Sequence, residues 1–249
     1  MQLVRRALAV LTELADADQP PTLQQLSDTL AIPPASMHRI LATLTEEGFA
    51  VRDSHRRYAL GRAALSLAGD RRNLADVARP LMRQMVSQTG ETVFVAEMAG
   101  RRALCTGIME GTHALRLYVR AGQELPLNAS AAARVLLSGF DRRRQAALLH
   151  ASPIVFYTDR TPVQVEAILQ RVDAIRIRGY ETCDDELDSD VWAVAAPVNI
   201  GGQRAAAAIA SAVPAARLTD ARKQTLIEQV TRAGQALSQR MGGEVLASS

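Results

Sequence analysis

Residues 23–60 constrain this chain more than any other stretch. They read LQQLSDTL, then AIPPASMHRILATLTEEG, then FAVRDSHRRYAL. Thr22 is a good N-cap, and Pro20-Pro21 stop any earlier helix. Leu23, Leu26 and Leu30 fall at i, i+3 and i+7, one apolar side of a helix, while Gln24, Gln25 and Asp28 point away. Ile32 is expected to fill the corner that follows, and Pro33-Pro34 suit a turn leading into a first helical turn. Met37, Ile40, Leu41 and Leu44 keep the 3.6 period of a second helix. Ala35, Ser36, His38, Arg39 and Thr43 are left wholly or partly outside. Short or hydrogen-bonding side chains on an exposed edge suit a helix that enters a major groove. Phe49, Val51, Tyr58 and Leu60 alternate along two short predicted strands, and the turn between them carries Arg52, Arg56 and Arg57, which suit phosphate contacts. The pattern predicts a winged helix-turn-helix. A helical hairpin in a larger core, with a solvated basic turn, shares the amphipathicity. The short Ile-Pro corner, the sparse polar face and the Arg-rich hairpin together favour a nucleic-acid surface.

Bulk charge does not mark that surface. The first 72 residues hold nine arginines against eight acidic residues, and the formal net charge of the whole chain is +3. Residues 3–15 read as a helix with Leu3, Ala7, Val10, Leu11 and Leu14 on its apolar side. Residues 61–70 form a short helical connector. A helix resumes over 74–88 with Leu74, Val77, Leu81 and Met85 on one stripe and Pro80 early enough to be tolerated. A domain boundary follows near 62–75, and a helical linker there transmits rotation better than a floppy one. From Glu91 the texture changes. Strands are predicted over 92–98, 103–109, 114–119, 191–200 and 204–213, and helices over 130–137, 141–150, 162–178 and 219–240. Strands in hairpins, flanked by helices, predict an α+β fold around an antiparallel sheet.

Two cysteines, Cys105 and Cys183, give neither a disulfide framework nor metal spacing and fit a reducing cytoplasm. No apolar run reaches membrane-spanning length, and acidic residues follow Arg5-Arg6 too soon for a signal peptide. The four histidines lie far apart, and no nucleophile elbow, phosphate-binding glycine loop or HExxH is found. The acidic run 184–190 lacks the Gly and terminal Glu of a calcium loop, so it reads as a solvated loop. No catalytic site, metal site or cofactor is expected.

The segments RALAVLTEL and LQQLSDTLAIPPASMHRILATLTEEGFAVRDSHRRYALG resemble the DNA-binding domain of IclR-family transcriptional regulators. LPLNASAAARVLLSG resembles that family's pocket-helix region, and RGYETCDDELDSDVWAVAAPV its Gly-Tyr, acidic, Ala-Ala-Pro-Val stretch. The resemblance runs colinearly over roughly residues 3–240. It implies a winged helix-turn-helix domain over 1–61, a helical linker over 62–75, and a GAF-like effector-binding and oligomerisation domain over 76–249. It also implies that the first helix helps pair two DNA-binding domains. The implied DNA-binding residues are Gln24, Ala35, Ser36, His38, Arg39, Thr43, Arg52, Arg56 and Arg57. The implied effector site comprises Leu115, Leu117, Asn128, Ala131, Ala132, Cys183, Ala193, Ala210 and Ala212. Asn128 stands where relatives usually have His, and Ala133-Arg134 where they have Gly-Lys. Alanines replace hydroxyl side chains on the last hairpin, so the pocket is expected to be less polar and roomier. The amides near 130–132 are expected to suit the carboxylate of a small organic, even aromatic, acid.

The resulting expectation is a cytoplasmic, ligand-responsive regulator. It would bind double-stranded operator DNA as a homodimer or dimer of dimers, with no membrane partner. Two alternatives stand beside it. One is a constitutive DNA-binding regulator whose second domain binds no ligand and serves oligomerisation. The other is an enzyme with an appended DNA-binding domain, against which the missing catalytic constellation speaks.

Overall fold

The computed structural model describes residues 2–17, 19–66, 74–113 and 119–242. The chain divides into two compact units, over 1–71 and 72–249. The first holds α1 (Gln2–Asp16), α2 (Leu23–Leu30), α3 (Pro34–Glu46), a ribbon of β1 (Ala50–Arg52) and β2 (Tyr58–Leu60), and the short α4 (Arg62–Ser66). α2 opens on a capping box: Gln25 N–H donates to the Thr22 hydroxyl, and Thr22 N–H donates to the Gln25 side chain at 2.8 Å. Ala31 ends α2 in the left-handed region, at φ 50°. That turn drops Ile32 into the core between α2 and α3. Pro34 starts α3, where its missing N–H leaves no acceptor wanting.

Two expectations for this unit need correction. Val10 and Leu14 of α1 are buried, and Ala7 and Leu11 pack beside them, but Leu3 is 58% exposed and joins Val4 and Leu8 on an outward apolar face. In the ribbon, Ala50 pairs Leu60, Val51 pairs Ala59, and Arg52 pairs Tyr58. Ala50 and Tyr58 are the buried members of their pairs, and Val51 faces out. Phe49 lies before the strand, donating its N–H to Leu44 O at 2.7 Å, so the inward alternation starts one residue later than predicted.

The second unit runs α5 (Leu74–Thr89), β3 (Thr92–Ala99), β4 (Arg102–Met109), β5 (Glu124–Leu125), α6 (Ala131–Leu137), α7 (Arg142–Ala151), α8 (Val165–Arg178), β6 (Glu181–Asp184), β7 (Val191–Ile200), β8 (Gln203–Pro214) and α9 (Asp220–Arg240). One sheet has the order β5-β4-β3-β8-β7-β6, with every neighbouring pair antiparallel. This is the expected α+β architecture, and β5 and β6 are strands beyond those that the residue pattern predicts. The predicted strand over 114–119 falls largely on residues 114–118, outside the described residues, and so does 67–73 of the linker.

Side chains alternate across the sheet, interrupted where the register shifts at Val95/Ala96 and Val198/Ile200. Val93, Val95, Val194, Ile209 and Val213 face α5 and α9. Phe94, Ala96, Ala195, Ala208, Ala210 and Ala212 face the layer of α6, α7 and α8. The second face is almost all alanine, which lets α6 lie close to the sheet. Every residue of α6 is buried, its one charged side chain, Arg134, included.

Candidate functional site

In the first unit α3 presents the edge that the periodicity predicts. Ala35, His38, Arg39 and Thr43 are exposed and Ser36 is half-buried. The Thr43 hydroxyl donates to Arg39 O at 3.1 Å, so its oxygen stays available as an acceptor. On α2, Gln24 is exposed and its amide donates to Asp28 Oδ1 at 2.9 Å.

The turn of the ribbon is organised by Asp53. Its carboxylate accepts from the backbone N–H of His55 and of Arg57, at 2.9 and 2.8 Å, which closes a tight turn with Arg56 at φ 60° on its tip. The three arginines have different surroundings. Arg56 is exposed at the tip. The Arg52 guanidinium lies 5.6 Å from the centroid of the Tyr58 ring, a stacked arrangement that holds its planar head in place. Arg57 is half-buried, and its guanidinium donates to Pro20 O at 3.1 Å. With Tyr58 N–H donating to Pro21 O at 2.8 Å, it ties the ribbon to the entry of α2. Arg57 thus has a structural task that its place in an Arg-rich turn does not reveal. His55 on the turn and Arg62 at the start of α4 are further exposed groups of this unit that the sequence reading passed over.

In the second unit a cavity of about 80 Å³ opens against the alanine face of the sheet. It brings together Ala131 and Ala132 at the start of α6, Cys183 of β6, Ala193 of β7, and Ala210 and Ala212 of β8. Six of the nine expected effector residues thus share one wall system, although up to 81 positions separate them. Leu115 and Leu117 lie outside the described residues. Asn128 is elsewhere: it is buried, its amide donates to Val155 O and Pro162 O at 2.9 and 3.2 Å, and it does not line the cavity. It pins the segment between α7 and α8.

The rest of the lining was not foreseen. Phe94, Leu125 and Leu187 supply apolar surface, and Gln123, Ser130 and Asp188 supply the polar groups. Gln123 Oε1 accepts from Arg120 N–H at 3.0 Å, so its amide hydrogens remain to donate. No cation lines the cavity among the described residues. α6 is only seven residues long, and Ser130 caps it, so its dipole is a weak attractor. Burial, and then the Glu186 carboxylate, push the Cys183 thiol up, so it stands as a neutral apolar wall.

Behind the cavity lies a buried ion network that the sequence reading missed. Arg134 is fully buried. Its Nε meets Glu181 Oε1 at 3.2 Å, its Nη1 donates to Asn128 O at 2.7 Å, and its Nη2 donates to Thr182 O at 2.9 Å. Nη2 also meets Glu186 Oε2 at 2.8 Å, an ion contact off the hydrogen-bond line. Arg171 of α8 holds the same two carboxylates, Glu181 at 2.6 Å and Glu186 at 2.8 Å. Burial works against the Arg171 cation, but Glu181 and Glu186 more than offset it, and its pKa is raised. The Thr161 hydroxyl donates to Glu186 O at 2.6 Å, and the Thr158 hydroxyl to Asp185 O. The predicted solvated acidic loop is therefore anchored on a buried glutamate, and this anchor sets Leu187 and Asp188 against the cavity. Among the described residues no cluster of His, Cys, Asp and Glu could hold a metal ion. No helix among them is long and apolar enough to cross a membrane.

Comparison with known proteins covers both units. Residues 3–54 match the IclR helix-turn-helix domain, and residues 66–239 match the bacterial transcriptional regulator IclR C-terminal family. The chain is 32% identical to the HTH-type transcriptional regulator KipR of Bacillus subtilis over 89% of this chain and 90% of that one. It is 26% identical to the transcriptional repressor IclR of Escherichia coli, over 98% and 91%. Among solved structures, an IclR transcriptional regulator from Silicibacter superposes with a TM-score of 0.69 at 24% identity, covering 98% of both chains. The Agobacterium tumefaciens repressor BlcR gives 0.64 at 22%, over 98% and 99%.

Proposed function

Because this chain belongs to the IclR family of transcriptional regulators, we propose that it binds a twofold operator through paired copies of its first unit and adjusts that binding to a small effector held in its second. In this reading 1–61 is the DNA-binding domain, 62–75 the linker, and 76–249 the effector-binding and oligomerisation domain. Ser36, His38, Arg39 and Thr43 reach base edges or nearby phosphates, and Arg56, with Arg52, meets the backbone beside them. The outward apolar face of α1, with Leu3, Val4 and Leu8, supports pairing of two such units. Arg57, tied to Pro20 O, contributes mainly by holding the ribbon in place.

The observation that carries the effector reading is the convergence of Ala131, Ala132, Cys183, Ala193, Ala210 and Ala212 on one cavity. Its size sets the ligand class. A cavity of about 80 Å³ is well below the roughly 150 Å³ that accepts a benzene ring. The reading therefore moves from aromatic acids to short aliphatic ones of a few carbon atoms, the carboxylate being met by the Ser130 hydroxyl, the Gln123 amide and backbone N–H groups. Effector and operator then modulate each other equally. Thermal shift of the whole chain against a panel of short and aromatic acids tests this. A ligand at about 100 times its Kd adds roughly 2.7 kcal/mol, a readily visible upward shift. The small volume and the lack of a cation among the described lining residues also favour the constitutive alternative, and a panel in which no acid raises the melting temperature would support it. For the first unit, operator fragments selected from genomic DNA should lose at least tenfold in affinity with Arg39→Ala. Unchanged affinity in a folded variant would remove α3 from the interface.

A further inference from the structure

A second depression in the effector-binding unit is larger and has a different chemistry. It is a groove of about 420 Å³ between the last turn of α8, the turn end of the β7–β8 hairpin and α9. Arg176, Arg178 and Arg204 line it together with Asn199, Thr231 and Ser138, and no carboxylate does among the described residues. It is separate from the effector cavity. On β8 the groove takes Arg204 and Ala205, while the cavity takes Ala210 and Ala212. Five residues of strand span about 17 Å. The two sites also touch opposite ends of α6: Ala131 and Ala132 at its start, Ser138 just past its end.

The positive charge at the groove is not neutralised. Arg176 donates to two backbone carbonyls, Phe140 O at 2.7 Å and Ser138 O at 3.3 Å, and has no acidic partner among the described residues; neither has Arg204. Arg178 pairs with Glu181 at 2.5 Å, but Glu181 is already shared with Arg134 and Arg171. Three arginines to two glutamates leave that network one charge in excess, and Arg176 and Arg204 raise the excess to three. The C-terminal dipole of α8 supplies only about half a negative charge against it. Thr231 lines the groove, and its hydroxyl is shielded from solvent and has no hydrogen-bond partner among the described residues. Asn199 has its side-chain oxygen occupied by Ala205 N–H at 2.9 Å, which leaves its amide hydrogens to donate. The groove therefore offers guanidinium and amide donors and, among the described residues, no anionic acceptor.

We propose that this groove is a second ligand site, independent of the effector cavity, for a compact phosphate-bearing polyanion. Arginine is suited to that ligand, since its planar fork meets phosphate oxygens two at a time. The test is calorimetric titration of the whole chain with inorganic pyrophosphate at fixed ionic strength, with orthophosphate and sulfate as separate arms. Pyrophosphate should bind at least tenfold more tightly than either smaller anion. The Arg176→Gln and Arg204→Gln variants should each weaken it about tenfold, while Arg143→Gln, which removes an exposed arginine on α7, should leave it unchanged. Arg204 is exposed, so its variant keeps the result interpretable if Arg176→Gln, which gives up two carbonyl contacts, folds poorly. Undetectable pyrophosphate binding, or an equal loss in all three variants, would overturn the proposal, the second because it signals net charge rather than a site.

Discussion

Replacing Arg134 by Met gives the sharpest test of how the second unit is held together. The substitution roughly conserves length and apolar stem but removes the head that meets Glu181, Glu186, Asn128 O and Thr182 O. Breaking a buried ion pair by deleting one partner ordinarily destabilises by about 3–5 kcal/mol, because a buried charge is left behind. Here the remaining carboxylates are not abandoned. Arg171 still holds both, and Arg178 still holds Glu181. The loss should therefore sit at the lower end, about 3 kcal/mol. In a domain of 150–250 residues each kcal/mol moves the melting temperature by about 2–4 °C, so a fall of roughly 6–12 °C is expected. Calorimetry on the whole chain is the suitable assay, because the two units can melt separately and only the second should move. Arg134→Lys should fall between, since an ammonium keeps the charge but not the fork. The pairing with Glu186→Gln in a double-mutant cycle should show coupling of 1 kcal/mol or more. An Arg134→Met protein melting within 1 °C of wild type would refute the reasoning, since the network would then be only a neutral substitute for apolar packing.

Three further outcomes follow from local geometry. Arg56→Ala, at the exposed tip of the ribbon, should weaken binding to all duplexes alike and lower the slope of log affinity against log salt by about 0.9, measured by fluorescence anisotropy; an unchanged slope removes it from the phosphate contacts. Ala31→Gly should stabilise the first unit by about 0.5 kcal/mol, because the left-handed turn costs a non-glycine residue about 1 kcal/mol and the flexible unfolded chain returns part of the gain; destabilisation in urea unfolding would contradict it. Burial raises the thiol pKa of Cys105 and of Cys183 from 9.0, so the folded state binds more protons than the unfolded one above that value. Their contribution is whole below about pH 9 and is lost as pH climbs from there through the raised folded values, so melting temperature should decline there, and less steeply in a Cys105→Ala, Cys183→Ala protein.

What could be read from the residues depended on whether the signal was local. The α2–α3 corner was legible because Thr22, Ile32 and Pro34 act through their own backbone and immediate neighbours. The long hairpin of β7 and β8 was legible from its length and its Gly201-Gly202 turn, even though alanine is a poor strand former and tertiary packing overrides the propensity. β6 was not, because ETCD carries two acids and pairs only at the sheet edge. Glu186 looked like one more solvated acid. Only the fold brings Arg134 and Arg171 to it, from 52 and 15 positions away. Arg57 misled in the opposite way. Its neighbours are arginines, yet its guanidinium closes onto a carbonyl 37 residues earlier.

The size of the cavity beside α6 shows why a pocket cannot be inferred by subtracting side chains. Alanines at 131, 132, 193, 210 and 212 suggest space, and the sequence alone argues for a roomier pocket. The described residues leave a small one. Small side chains on both α6 and the sheet let the helix settle toward the strands, and every residue of α6 is buried as a result. Close packing of interiors makes such a collapse the ordinary outcome where the backbone is free to move. Arg134 then fixes the settled position, since it is carried by α6 and grips the β6 backbone at Thr182 O and the loop at Glu186. The cavity of about 80 Å³ is what that fixed distance leaves. Enlarging this cavity should therefore require weakening the Arg134 clamp, not trimming walls that are already alanine.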